Sequence, residues 1–91
     1  TPTYTVDLAD ATKVLIDRGT NGLVHVTSGG DCTWFEFAQE IFRLAGLNPD
    51  LAPITSAEFG AAARRPAYSV LSNAKLHSLG VKPLRHWKDA L

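Results

Sequence analysis

The 91-residue sequence lacks the features that commonly identify a partner or a compartment. Nine basic residues balance nine acidic ones, so no overall field would draw the chain to nucleic acid or to an anionic membrane. Its one cysteine, Cys32, cannot form an internal disulfide. No apolar run approaches the roughly 20 residues that a membrane-spanning helix needs. These absences predict a cytoplasmic protein in which any recognition of phosphate is local.

Methionine is also absent, and the sequence starts at Thr1. Both features favour a segment of a longer protein. A glycine-rich dinucleotide fingerprint is missing as well, although Ser28-Gly29-Gly30-Asp31 follows an apolar run and precedes a helical pattern. The G-x-G-x-x-G spacing does not occur there, and Asp31 would set a negative charge beside the amides that a phosphate needs. We interpret these glycines as a tight turn, and we predict no metal site and no cofactor site in this chain.

The patterns that are present predict a single α/β domain over residues 1–91, in which short, mostly parallel strands pack with helices. Helical spacing of apolar residues, glycine stops and a capping box of Thr33 with Glu36 place the two main helices. Short β-branched runs place the strands. In chain order we predict helix Val6–Arg18, strand Leu23–Thr27, helix Trp34–Ala45, strand Leu51–Thr55, a helical turn capped by Ser56, a β-prone run after Pro66, helix Asn73–Leu79 and a helix starting at His86.

Two side chains in these elements could serve a ligand. A lone histidine in an apolar strand is usually a hydrogen-bonded packing residue, and we interpret His25 in that way. Trp34 could stack on a base or sugar, but it begins a helix so apolar that it needs cover on more than one side. We therefore favour packing of Trp34 in the core or against another domain.

The adjacent pair Arg64-Arg65 is the strongest candidate for a binding site. Pro66 follows at once and holds the backbone of Arg65 extended. Arginine grips phosphate through two parallel hydrogen bonds and keeps its charge at every working pH. The alternative is a solvated pair of charges in a loop, which would contribute little.

Several stretches form a pattern when they are taken in order: Pro2-Thr3-Tyr4-Thr5-Val6-Asp7-Leu8-Ala9, Gly22-Leu23-Val24-His25-Val26-Thr27 with Trp34-Phe35-Glu36-Phe37-Ala38, Pro53-Ile54-Thr55, and Ala63-Arg64-Arg65-Pro66 with Ser69-Val70-Leu71 and Lys75-Leu76. Together they resemble the C-terminal portion of the dTDP-4-dehydrorhamnose reductase family. The resemblance covers nearly the whole chain. It implies an extended short-chain dehydrogenase/reductase, in which an N-terminal Rossmann domain binds the nicotinamide cofactor and a smaller part completes the sugar-nucleotide pocket.

The family reduces the 4-keto group of dTDP-4-dehydro-L-rhamnose with NADPH, or NADH, and so makes dTDP-L-rhamnose for cell-surface polysaccharide. Its catalytic Tyr-x-x-x-Lys pair is missing here, because Leu8 follows Tyr4 at that spacing and Ser72 follows Tyr68. The resemblance therefore implies a substrate-binding part with no catalytic residue of its own. Its partners would be a dTDP-sugar and a Rossmann domain, and it could self-associate through apolar surface around Trp34, Phe35 or Trp87.

The same resemblance suggests the substrate-binding residues. In the wider family an arginine of a comparable segment contacts the pyrophosphate of the nucleotide sugar, and that position matches Arg65. Arg64 is either a second member of this clamp or a partner of Glu58. Tyr68 stands where the wider family has an aspartate that contacts a ribose hydroxyl. The replacement of that aspartate by Tyr68 would suit a deoxyribose nucleotide, which lacks the 2′-hydroxyl.

Two other interpretations stay open at this point. One is a non-catalytic relative, similar to the regulatory subunit of methionine adenosyltransferase, which serves as a binding partner. The other is an independent interaction domain without a ligand.

Overall fold

A computed structural model describes all 91 residues. It contains five helices and no strand, and an isolated parallel bridge joins Gly29 and His86. The helices are α1 (Thr5–Asp17), α2 (Trp34–Leu44), α3 (Ser56–Phe59), α4 (Ala74–Ser78) and α5 (Trp87–Ala90). The chain divides into two compact units. We call Thr1–Asp31 with Val70–Leu91 the terminal unit and Cys32–Ser69 the central unit.

The terminal unit has a small apolar core around Leu76, which is completely buried. Ala11 of α1 and Val81 complete the buried cluster, and partly buried side chains from α1, from residues 24–26 and from Leu84 pack against it. Helix α1 ends at Asp17, one residue before the predicted end at Arg18, and Gly19 follows with a φ of 65°. The N–H of Thr20 then reaches back to the carbonyl of Leu15 at 3.1 Å, a contact typical of a glycine-ended helix.

Long-range polar contacts join the two ends of the sequence within this unit. Arg85 donates two hydrogen bonds to the Asp7 carboxylate, at 2.9 and 3.0 Å, and lies over the ring of Tyr4. Hydrogen bonding to Asp7 raises the pKa of Arg85. Arg18 and Lys75 each donate to a distant backbone carbonyl, at 2.6 and 2.8 Å. These contacts hold α1, α4 and the last segment together around the core.

The predicted strands do not form within this chain, so the α/β prediction is not confirmed. Residues 23–27, residues 51–55 and the run after Pro66 are all outside regular secondary structure. A strand is held by hydrogen bonds to a neighbouring strand, and the backbone groups of residues 24–26 make no hydrogen bond in the chain. The β-branched pattern is present, but its pairing partner is not. The interpretation of His25 as a hydrogen-bonded packing residue is also wrong, because it is exposed and has no hydrogen-bond partner.

The central unit is organised by two capped helices. The predicted box at the start of α2 is confirmed: Thr33 Oγ1 accepts from the N–H of Glu36, and the Glu36 carboxylate accepts from the N–H of Thr33. Helix α3 repeats the device with Thr55 and Glu58, so Thr55 is the cap and the prediction of Ser56 is wrong. The cap lies one residue earlier because only that spacing lets the carboxylate reach back to the cap N–H.

The two tryptophans lie in different environments. Trp34 is 85% exposed at the start of α2, so it is not a core residue in this chain, and it meets Phe37 edge to face with ring centroids 6.1 Å apart. Trp87 is only 3% exposed, so it is not part of an exposed apolar surface. The backbone N–H of Trp87 donates to the carbonyl of Gly29, and this bond holds α5 within the terminal unit.

Candidate functional site

The Arg64–Tyr68 segment is fully accessible in the structure. Gly60, with a φ of 65°, ends α3 and turns the chain into residues 61–69, all of which are exposed. From residue 61 to residue 71 no backbone or side-chain group makes a hydrogen bond or ion pair within the chain. Pro66 contributes to this isolation, since it lacks an N–H and disfavours helix at Arg65.

Arg64 and Arg65 differ from every other arginine of the chain in having no partner. Arg18 donates to the carbonyl of Leu79, Arg43 is paired with Glu40, and Arg85 is paired with Asp7. A guanidinium that is already paired must break its ion pair before it binds a ligand, whereas Arg64 and Arg65 keep all their donors available. This contrast is what distinguishes the pair as a candidate anion clamp.

The structure also bears on the alternative role of Arg64. The Glu58 carboxylate accepts hydrogen bonds from the N–H and the hydroxyl of Thr55, at 3.2 and 3.0 Å. Glu58 makes no ion pair with Arg64. The carboxylate is committed to the helix cap, which leaves Arg64 as a possible second member of the clamp. Tyr68 is 74% exposed, so its ring and hydroxyl are open to a ligand.

A groove in the terminal unit was not foreseen from the sequence. It encloses about 410 Å³ beside α1 and is lined mainly by apolar side chains. These include Leu8, Leu15, Ile16, Val24, Val26 and Leu71, with Thr12, Thr20 and His25 as its polar members. The apolar periodicity of α1 could have indicated that more of its surface is apolar than one small core covers. No Lys, Arg, Asp or Glu side chain lines the groove.

No group of three or more His, Cys, Asp or Glu residues is arranged to hold a metal ion. No helix is long and apolar enough to cross a bilayer.

Comparison with known proteins decides the family. The family described as the RmlD substrate binding domain matches residues 1–91, which is the entire chain. The chain belongs to the RmlD substrate-binding domain family.

Named relatives match this RmlD substrate-binding domain over nearly its whole length. The chain is 43% identical to the spore coat polysaccharide biosynthesis protein SpsK of Bacillus subtilis, and 41% identical to a dTDP-4-dehydrorhamnose reductase of Streptomyces griseus. Each comparison covers 99% of the chain but only 31% and 32% of the relative. The domain thus spans about a third of the length of these relatives.

Solved structures give the same result for the fold. A dTDP-4-dehydrorhamnose reductase from Bacillus anthracis, in complex with NADP, superimposes with a TM-score of 0.94 at 38% identity. An orthologue from Clostridium acetobutylicum gives 0.93 at 44% identity, and both cover 99% of this chain and 32% of theirs. The predicted resemblance is therefore confirmed, and the comparison with the methionine adenosyltransferase subunit is not favoured.

Proposed function

We propose that residues 1–91 act as one domain that binds the sugar nucleotide in an NADPH-dependent, cytoplasmic reductase. That enzyme would reduce the 4-keto group of dTDP-4-dehydro-L-rhamnose and release dTDP-L-rhamnose for cell-surface polysaccharide. The observation that carries this proposal is the unpartnered arginine pair, Arg64 and Arg65. It occurs in a chain that matches the substrate-binding family from end to end.

The chemistry of the ligand fits the pair. A dTDP-sugar carries a pyrophosphate, and an arginine held on an extended backbone can donate two parallel hydrogen bonds to one phosphate. Arg65 would make this contact, with Arg64 as the second member of the clamp. Tyr68 would lie toward the deoxyribose. The aspartate that the wider family has at this position would find no 2′-hydroxyl to bind there.

Binding at the pyrophosphate would assist a reaction that takes place elsewhere on the substrate. Interactions with a remote part of the ligand orient its reacting carbon, which is how a domain without catalytic residues raises the rate. The chain itself has no Tyr-x-x-x-Lys pair and no dinucleotide fingerprint. When NADPH or NADH is bound by the rest of the enzyme, it supplies the hydride. This chain alone is then expected to have no reductase activity.

The unpaired backbone of residues 24–26 supports a partner domain. Val24 and Val26 are β-branched, and residues 24–26 offer consecutive N–H and C=O groups that make no hydrogen bond in the chain. Such a segment adds readily to the edge of a sheet. We infer that it pairs with strands of a Rossmann domain and so completes the α/β architecture. The same domain would cover exposed apolar side chains such as Trp34 and Ile41, which could otherwise drive self-association.

The proposed function is tested by binding measurements on the complete reductase that carries this domain. We expect Arg65→Ala to weaken dTDP binding about 10- to 100-fold, the effect of losing charge-assisted hydrogen bonds of about 1.5–3 kcal/mol. NADPH affinity, measured in parallel by fluorescence, should not change. Arg65→Lys should recover part of the loss, since it restores the charge but not the two-point contact.

Arg43→Ala is the matched control, because Arg43 is also exposed and lies in the same unit but is paired with Glu40. It should leave dTDP affinity unchanged. Unaltered dTDP binding in Arg65→Ala would contradict the proposal, and equal losses of dTDP and NADPH binding would indicate a folding defect instead. Tyr68→Phe in the same assay isolates the hydroxyl, and an unchanged affinity would remove Tyr68 from the site.

A further inference from the structure

Asn73 makes an unusual contact that neither the helix pattern nor the proposed function explains. Its side-chain Oδ1 accepts from the N–H of Thr27 at 3.0 Å, and its Nδ2 donates to the Thr27 carbonyl at 3.2 Å and to the Thr27 hydroxyl at 2.9 Å. The residue stands directly before α4, yet its side chain does not cap that helix. Instead, the amide of Asn73 bonds to Thr27, which is partly buried and 46 residues away in the sequence.

The geometry of this contact depends on the chemistry of an amide. A side-chain amide carries one acceptor and two donor hydrogens, so it can pair with both the N–H and the C=O of one residue, much as a neighbouring strand would. A carboxylate could accept from the N–H of Thr27 but could not donate to its carbonyl. Asn73 therefore fixes the backbone at position 27 in a way that few other residues can.

Asn73 also follows closely after the stretch that contains the arginine pair. Residues 61–71, which include Arg64, Arg65 and Tyr68, make no hydrogen bond, and Ser72 bonds only to the nearby N–H of Ala74. The amide of Asn73 thus makes the first non-local hydrogen bond after the arginine pair. On the other side, the segment follows directly from α3, whose start is capped by Thr55 and Glu58.

We propose that Asn73 is a positioning residue that limits the freedom of the Arg64–Tyr68 segment and so prepares Arg65 for the pyrophosphate of a nucleoside diphosphate sugar. This inference rests on the proposed function. A segment without internal hydrogen bonds must be ordered when a ligand binds, and that ordering lowers affinity. A firm anchor at the end of the segment reduces the number of conformations that binding must exclude.

A double-mutant cycle in the complete reductase tests the proposal. Asn73→Ala should weaken dTDP binding about tenfold, the usual size of such ordering costs, and should leave NADPH affinity unchanged. In the Arg65→Ala background the same substitution should cause no further loss, because Asn73 acts through Arg65. A purely structural role would give the same loss in both backgrounds, and that additive result would overturn the proposal.

Two further variants supply a control and a substitute for the double-mutant cycle. Asn21→Ala removes an exposed amide of the same unit that makes no hydrogen bond, and it should change neither affinity. If Asn73→Ala does not fold, Asn73→Asp runs the same cycle, because it keeps the bond from the Thr27 N–H and removes only the donated ones. An unaltered dTDP affinity in the Asn73 variants would also overturn the inference. Failure of the proposed function is recognised separately, since Arg65→Ala alone would then have no effect on dTDP binding.

Discussion

The terminal and central units differ in what their residues do. All the buried residues, Ala11, Ser28, Leu76, Val81 and Trp87, belong to the terminal unit. The central unit has none, yet it carries the unpartnered arginines and an almost fully exposed tryptophan. Stability is thus concentrated in one unit, and groups available for recognition are concentrated in the other.

This separation has a physical origin. Apolar burial supplies most of the favourable free energy of folding. A side chain that binds a ligand, by contrast, needs hydrogen-bond donors that are not already bonded within the protein. Both arginines of the terminal unit bind acceptors of that unit, Arg85 the carboxylate of Asp7 and Arg18 the carbonyl of Leu79. The arginine pair of the central unit makes no such contact. Substitutions in the two units should therefore affect different measurements.

The largest effect on stability is expected at Leu76. Leu76→Ala removes a side chain with no exposed surface, and it should lower the free energy of unfolding by about 2–5 kcal/mol through lost burial and the cavity left behind. Urea unfolding followed by circular dichroism measures this change. Leu47→Ala is the matched control in the central unit, where Leu47 is 60% exposed, and should cost less than about 0.5 kcal/mol. Similar losses at both positions would show that the core is not confined to the terminal unit.

A smaller effect is expected at two glycines that share a backbone conformation but differ in their surroundings. Gly30 has a φ of 75° and Gly46 a φ of 69°. A Cβ at Gly30 would lie 2.2 Å from Nε2 of His86, whereas a Cβ at Gly46 would meet nothing within 4 Å. Gly46→Ala should therefore cost only the left-handed strain of about 1–2 kcal/mol. Gly30→Ala should cost more, because His86 must also move and lose its contact with the N–H of Lys88.

Thermal unfolding of both glycine variants checks this prediction. Adding His86→Ala to Gly30→Ala should recover the steric part of the loss. Equal losses at the two glycines would mean that the imidazole moves aside freely.

The smallest effect is expected at Ser28. Its hydroxyl is buried and has no hydrogen-bond partner. Because an unpaired buried hydroxyl is unfavourable, Ser28→Ala should leave stability unchanged or raise it by up to about 1 kcal/mol. Thr3→Val gives the contrast, since Thr3 Oγ1 accepts from the N–H of Ser28 at 3.2 Å, and its loss should cost about 1 kcal/mol. A clear loss of stability in Ser28→Ala would reveal a partner for that hydroxyl.

The helices were predictable because their signals are local. Thr33 and Glu36 bond to each other's backbone groups within one turn, and Gly19 and Gly46 supply the positive φ that ends α1 and α2. The lack of helix at Arg65 was also predictable, because Pro66 restricts the backbone of the residue before it. The strands were not predictable in the same way. A strand forms only beside a neighbouring strand, and the local sequence pattern does not show whether that neighbour is present. Nothing local indicated that Asn73 would reach Thr27 rather than cap α4.

The sequence alone determined where the two main helices lie to within a residue or so, the absence of a catalytic Tyr-x-x-x-Lys pair and the family to which the chain belongs. Each of these depends on residue types and their order along the chain. Only the tertiary structure decided which cations are free and which are paired, that Leu76 and Trp87 are buried while Trp34 is exposed, and that residues 24–26 lack a strand partner. Those properties depend on contacts between residues far apart in the chain, and spacing along the sequence carries no information about them.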